Sequence, residues 1–226
     1  MRIRPLLALL LTLVAYTTTH AQPNSWDLAY GSPNGTSEYI RDIVTDTING
    51  GVYSVGAYDH ISSLTPTTVL GQRDGFVTKT DANGNVIWTK QIGGLGDDGC
   101  QGVAVGSNGN VYVTGYFSGN NPVFSAVSPA IANSGQADLF IACYDPNGTL
   151  QWVQTGGGAG TDIGFSVAVN ASGVFVQGVF KGASAFSGSN TIAGTNNGHQ
   201  HVTLLKYSLA GAFQWHILGY NNGTGD

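Results

Sequence analysis

Tryptophan returns in this chain at a nearly constant interval, at Trp26, Trp88, Trp152 and Trp215. The last three share one frame: DGFVTKTDANGNVIWTKQIGG (74–94) aligns with DLFIACYDPNGTLQWVQTGGG (138–158) and with HVTLLKYSLAGAFQWHILGYN (201–221). A repeat of about 63 residues, built from short apolar runs and glycine turns, is one supersecondary unit copied along the chain. Such a unit has too little core to stand alone and buries its apolar surface by stacking on its copies. Function in a repeat scaffold then belongs to the segments that differ between copies.

Each copy holds two hairpins. The first reads QGVAVGSNGNVYVTGYF (101–117), with equivalents DIVTDTINGGVYSVGAY (42–58) and FSVAVNASGVFVQGVF (165–180). Val111, Val113 and Gly115 fall on one face, and Tyr112, Thr114 and Tyr116 on the other. Asn108-Gly109 between the two runs predicts a type I′ turn, with Asn49-Gly50 and Ser172-Gly173 in its place elsewhere. The second hairpin carries the tryptophan. Asp145-Pro146-Asn147-Gly148 between its strands has the chemistry of a type I turn, repeated as Asp81-Ala82-Asn83-Gly84. Ser208-Leu209-Ala210-Gly211 is a weaker copy that keeps only the glycine, so its turn is expected to be less well fixed.

Two hairpins give four antiparallel strands per copy, and no segment shows a helical period. Tandem four-stranded sheets predict an all-β fold, a β-propeller of four-stranded antiparallel blades, rather than a sandwich or solenoid. The expected blades are 40–92, 102–155 and 164–219. They are preceded at 22–39 by an orphan outer strand, containing Trp26, and its loop. Three blades fall short of the four to eight of a closed ring. The expectation is therefore a partial propeller, the N-terminal part of a longer protein, with closure by self-association as the alternative.

The segments GNVYVTGYFSG (109–119) and DANGNVIWTKQIGGLGDDG (81–99) resemble the SBBP-type β-propeller repeat of secreted and surface proteins of bacteria, notably Bacteroidetes-like species. The resemblance runs three times over 22–226. The Asp-x-x-Gly-x-x-x-Trp core is also similar to the tryptophan-docking motif of quinoprotein-type propellers. That likeness implies that Trp88, Trp152 and Trp215 lie at blade junctions, with Gly84, Gly148 and Gly211 permitting the turn beneath. It is a structural likeness and brings no cofactor with it.

The first residues read as an export signal. Arg2 and Arg4 precede an apolar run from Leu6 to Val14, and Thr19-His20-Ala21 offers a cleavage site after Ala21. The run is too short to span a bilayer. The chain holds 34 Gly, only 8 Lys and Arg, and 13 Asp and Glu, for a net charge of −5. Removal of a leader carrying Arg2 and Arg4 leaves the remainder more acidic still. That balance excludes a nucleic-acid partner, which needs a basic face, and argues against an anionic membrane surface. Cys100 and Cys143 are the only cysteines. They stand outside the repeat pattern and read as incidental, with a disulfide between them as the alternative.

Chemistry-bearing motifs are few. Acidic residues recur near the inter-blade loops as Glu38, Asp98, Asp162 and Asp226. Calcium is one reading, since carboxylates in glycine loops suit a hard cation, but no calcium-loop spacing accompanies them. The other is that the aspartates, Asp98 and Asp162 above all, cap their loops' own amides. His199 and His201 are too few for a zinc site, and His60 lies in another copy. Neither a nucleophile elbow nor a phosphate loop occurs, and no catalytic residue or cofactor site is assigned. Asp59, Asp97 or Asp98 could meet across a channel as a glycosidase pair. The expectation is a non-enzymatic exported scaffold that binds a surface protein or glycan. A glycan-active or quinone-dependent enzyme and a structural spacer are the alternatives. The variable loops 59–73, 118–137 and 181–200 are the expected contact surface; Phe124 and Phe186 in them are candidate sugar-stacking rings, with packing onto the blade edge the favoured alternative.

Overall fold

The computed structural model describes residues 38–60, 69–125, 131–181, 184–186, 191–192 and 199–219. The orphan strand with Trp26, and Asp226, lie outside them. The described chain is all β and contains three four-stranded antiparallel units in chain order. The first unit is the meander β1 (Glu38–Thr45), β2 (Val52–Tyr58), β3 (Asp74–Thr80) and β4 (Val86–Ile92). The second runs through β5 (Gly99–Val105), β6 (Val111–Phe117), β7 (Asp138–Tyr144) and β8 (Leu150–Gly158). The third comprises β9 (Ile163–Asn170), β10 (Gly173–Lys181), β13 (Gln200–Tyr207) and β14 (Phe213–Leu218). Between β10 and β13, the short hairpin β11 (Ser184–Phe186) and β12 (Thr191–Ile192) leaves its own sheet and pairs with β8. These are three propeller blades, with no closed barrel.

Stacking follows from the two-residue period. Phe140, Ala142 and Tyr144 of β7 join Tyr53, Val55 and Val77 of the first blade in one buried cluster. Leu139, Ile141 and Cys143 of the same strand point the other way, into a second cluster with Val174, Val176 and Leu205 of the third. Strand β7 is therefore buried at every position, as a sheet covered on both faces requires. Cys100 and Cys143 are both free and buried, and they belong to different clusters on opposite sides of the middle blade.

The turns differ from the expectation in two respects: in the third blade Gly173 already pairs with Asn170 as the start of β10, so Ala171-Ser172 rather than Ser172-Gly173 make that turn, and the Asn-Gly turn is of another type. Asn108 does not adopt positive φ; among the described non-glycine residues only Asn121 does. Gly109 alone is left-handed, at φ +79, and its N–H closes on Gly106. The Asn-Gly pair thus ends a type I turn followed by a left-handed glycine, and the loop is one residue longer than a type I′ hairpin. The tryptophan hairpins use the same device. Asp145 Oδ1 accepts the N–H groups of Asn147 and Thr149, both at 2.9 Å, and Asp81 does the same for Asn83 and Asn85. In the third blade, Ser208 Oγ accepts only the Ala212 N–H, at 3.1 Å.

Candidate functional site

Two tryptophans lock successive blades. Trp88 Nε1 donates to the Pro146 carbonyl of the next blade at 3.0 Å, and Trp152 Nε1 donates to Leu209 at 3.1 Å. Each indole lies over that turn's glycine. A Cβ on Gly148 would come within 2.9 Å of Trp88 Cδ2, and one on Gly211 within 2.6 Å of Trp152 Cδ2. Gly84 is left-handed, at φ +85, in the equivalent turn of the first blade. Trp215 stacks on Phe175 of its own blade and stays 37% exposed.

The aspartates of the inter-blade loops pin backbone. Asp98 accepts the N–H of Gly94 at 2.6 Å and of Ser118 at 2.7 Å, and Asp162 accepts those of Gly158 and Lys181 at 2.7 and 2.8 Å. Burial, with Asp74 and Asp97 adding to it, pushes the Asp98 carboxyl up to about 7. Glu38 sits instead beside His60, 4.0 Å away, and Asp59 also contacts that ring, at 3.0 Å. Asp59, Asp97 and Asp98 thus have separate partners and do not form an open carboxylate pair. His201 is buried, with Nδ1 3.4 Å from the Gly219 carbonyl oxygen, while His199 is exposed. Among the described residues, no three His, Cys, Asp or Glu side chains gather in a way that could hold a metal ion.

The long loops do less outward work than their sequence variability implies. Phe124 is fully buried, edge-on to Phe140, and its carbonyl accepts the Tyr144 hydroxyl. Of its two readings, sugar stacking and packing, the ring takes the second: the loop carries it under the first junction, where Val123 exchanges backbone bonds with Gly93 of the preceding blade. Phe186 falls in β11, which pairs with β8 of the preceding blade; its side chain lies outside the described residues. The second and third long loops therefore reach back and tie their blades to the one before.

Among the described residues, a groove of about 620 Å³ opens where the blades' first strands converge. These strands meet closely. Asp42 of β1 accepts the Val103 N–H of β5 at 2.9 Å, and Gly102 of β5 lies against Ser166 of β9, where a Cβ would meet that Cα at 2.9 Å. Each first strand carries one extra residue opposite its partner. Register skips Arg41 between β1 and β2, Gln101 between β5 and β6, and Phe165 between β9 and β10. A β-bulge re-aims a side chain, and all three bulge residues line the groove. Sequence reasoning passed over them. Their signal was a single repeat column, R-D-I-V, Q-G-V-A and F-S-V-A, that changes chemistry in every copy inside an otherwise steady frame.

The walls add polar groups. Arg73 holds Asp97 with two bonds, of 2.7 and 2.8 Å, and donates to the Tyr116 hydroxyl at 3.1 Å. Burial would lower the Arg73 guanidinium, but the Asp97 carboxylate more than offsets this and keeps it charged. Burial pushes the Tyr116 phenol up to about 12. Arg41 stacks on Tyr39, 4.4 Å from the ring centroid. Gln136 uses its Oε1 to accept the Thr161 hydroxyl at 3.0 Å, which leaves its amide N–H groups for the groove.

Comparison with known proteins agrees with this architecture. Residues 87–121, from the tryptophan strand of the first blade into the long loop of the second, match the β-propeller repeat named SBBP. The regulatory protein FlaEY of Caulobacter vibrioides is 35% identical over 107 residues, covering 46% of this chain and 11% of that protein. A WD repeat-containing protein, L264, of Acanthamoeba polyphaga mimivirus is 28% identical over 197 residues, covering 74% of this chain and 14% of its own length. The chain thus spans only a small part of either relative.

Proposed function

We propose that this chain, which carries an SBBP-type β-propeller repeat at residues 87–121, is a non-enzymatic recognition scaffold that meets its partner at the groove where its blades converge. The observation that carries this reading is the convergence of Arg41, Gln101 and Phe165, one bulge residue from each blade, on one open groove. A propeller keeps its frame constant and varies what projects at one rim, as binding sites on rigid scaffolds do. A purely structural spacer has no need of three different chemistries in a single repeat column. Catalysis is disfavoured because Asp97, the acid among the groove's described residues, is held bidentately by Arg73 rather than poised as a general base. The leader-like segment supports export, and the acidic, glycine-rich composition suits an extracellular surface.

The test is a glycan and protein array probed with the native chain and two triple variants. One carries Arg41→Ser, Gln101→Ser and Phe165→Ser. The other changes exposed residues at the opposite hairpin tips, Ser107, Asn147 and Leu209. Loss of every hit in the groove variant alone supports the reading. Loss in the hairpin-tip variant alone, or in neither, overturns it.

A further inference from the structure

The groove's chemistry points to a ligand class, an inference that rests on the reading above. Its hydrogen-bonding capacity is mostly donors. Asp97, the one carboxylate among its described lining residues, is already matched by Arg73. The Arg41 guanidinium is exposed, and among the described residues no carboxylate lies within ion-pairing distance of it. Its stacking on Tyr39 holds the guanidinium plane, which is suited to a bidentate bond with a carboxylate. Gln101 and Gln136 add amide donors, and Phe165 presents a ring that is 42% exposed. We infer that the groove binds an oligosaccharide bearing carboxylates, of the uronate type, with Arg41 on the acid and Phe165 under a sugar face. The open, shallow form suits a sugar better than an anchoring peptide side chain, which needs a closed apolar pocket. The chain's net charge of −5 favours a short ligand over a long polyanion.

The experiment titrates the chain with trigalacturonic acid, its carboxyl-reduced neutral counterpart, and a short peptide whose only acid is its C-terminus. The expected result is at least tenfold tighter binding of the acid sugar than of the reduced one. Arg41→Gln should abolish that difference, and Phe165→Ala should weaken both sugars. Both substitutions are at exposed positions, and unchanged melting confirms folding. Equal binding of the two sugars overturns this inference while leaving the groove as the site. Preference for the peptide, or no binding of any of the three, also overturns it. The array and groove variant above decide separately whether the groove is the site at all.

A second inference rests on buried oxygens elsewhere. Asp74 and Asp98 are fully buried and lie against the same face of Gly93, where a Cβ would meet Asp74 Oδ1 at 2.5 Å and Asp98 Oδ2 at 2.7 Å. Asp98 accepts a backbone N–H on each oxygen. Asp74 accepts Leu70 N–H and Gln91 Nε2 on Oδ2, at 2.6 and 2.8 Å, while its buried Oδ1 has no hydrogen-bond partner. The next junction repeats this. Asp138 Oδ2 accepts Ser134 N–H, Oδ1 is orphaned and buried against Gly157, and Asp162 again accepts two backbone amides. An orphaned buried carboxylate oxygen beside a second carboxylate is costly unless something lies between them. We propose that each pair holds one proton, with Asp74 Oδ1–H donating to the Asp98 carboxylate and Asp138 Oδ1–H to that of Asp162, as a fixed part of each inter-blade loop. The amides on both oxygens of Asp98 and Asp162 favour an anionic acceptor there and crowd out a cation.

Other titratable groups near the first pair are Arg73 and Asp97, which neutralise each other, with Tyr116 and Cys100; Lys181 lies near the second. Burial pushes the Asp74 carboxyl up; burial, with the neighbouring carboxylate adding to it, pushes Asp98 up to about 7 and Asp138 up to about 6, so the proton is shared within each pair. Each pair titrates as a unit. The folded-state values lie above the unfolded ones. The stabilisation is therefore complete below the unfolded value near 3.8 and is lost as pH rises through about 6 to 7. Melting temperature should fall from pH 5 to pH 9 in the native chain. Asp74→Asn with Asp138→Asn, whose amides donate without a proton to lose, should flatten that dependence and melt at least as high at pH 9. The native chain should also show the infrared carbonyl band of a protonated carboxyl at neutral pH, absent from the double variant. A lower melting point for the variant at pH 9, or a calcium-dependent rise in the native chain reversed by chelator, overturns the proposal.

Discussion

The two blade junctions share one lock and differ in what surrounds it. At both, an indole donates to a turn carbonyl of the next blade and covers that turn's glycine. At the first, Lys79 sits opposite Trp88 across the strands, buried, with Nζ 3.1 Å from Asp46, 3.4 Å from the Pro146 carbonyl and 5.0 Å from the Tyr53 ring centroid. At the second, Cys143 sits opposite Trp152, and the column of Asp46 holds Gly106. Both charges are present or both are absent. A buried ion is tolerable only with its partner, and a matched pair contributes little beyond what apolar packing supplies. The difference teaches that the indole, carbonyl and glycine hold the blades together, and that the ion pair is a local variation.

That comparison can be broken in several ways, in descending order of expected effect. Trp88→Ala and Trp152→Ala should each cost about 3–5 kcal/mol in chemical denaturation, and by similar amounts if the ion pair is incidental. Trp215→Ala, at a half-exposed indole, should cost far less. Lys79→Met should cost about 3 kcal/mol by stranding Asp46, and adding Asp46→Asn should recover most of it. Failure of that recovery would make the pair itself part of the lock. Gly148→Ala and Gly50→Ala face similar backbone strain, at φ +79 and +77. Gly50 has nothing within 4 Å of a Cβ, whereas Gly148 meets Trp88 and Lys90. Gly50→Ala should therefore cost about 1–2 kcal/mol, and Gly148→Ala measurably more.

The smallest effect is on pH. Burial raises the Asp46 carboxyl, but bonds from Asn49, Lys79 and Ile48 outweigh it and hold the group below its ordinary 3.8. A depressed folded value contributes stability above the unfolded value that is lost as pH falls through the folded one. Below about pH 4, hydrogen exchange should therefore rise in β1–β2 before it rises in β9–β10. Simultaneous loosening would remove Asp46 as the cause.

The groove was far less legible than the blades. The column of Arg41, Gln101 and Phe165 stands in plain view in the repeat alignment, but a bulge is a register slip between two strands and shows only once both are paired. The aspartates at 98 and 162 read as loop caps, whereas Asp74 and Asp138, at strand starts, gave no sign of meeting them. Phe124 stayed open between a sugar contact and a packed ring because sequence variability marks a loop without saying which of its side chains fold inward.

By itself the sequence determined the four-strand unit, its period, the turn residues and the tryptophan frame. These rest on local physics: a two-residue alternation, glycines at left-handed positions and short apolar runs. Only the tertiary structure decided which surfaces were left over. Which loop reaches back to its neighbour, which carboxylates meet behind one glycine and which bulge residues converge all depend on contacts between blades, such as Val123 with Gly93, Asp74 beside Asp98, and Arg41 with Gln101 and Phe165. Such contacts exist only after the blades have stacked.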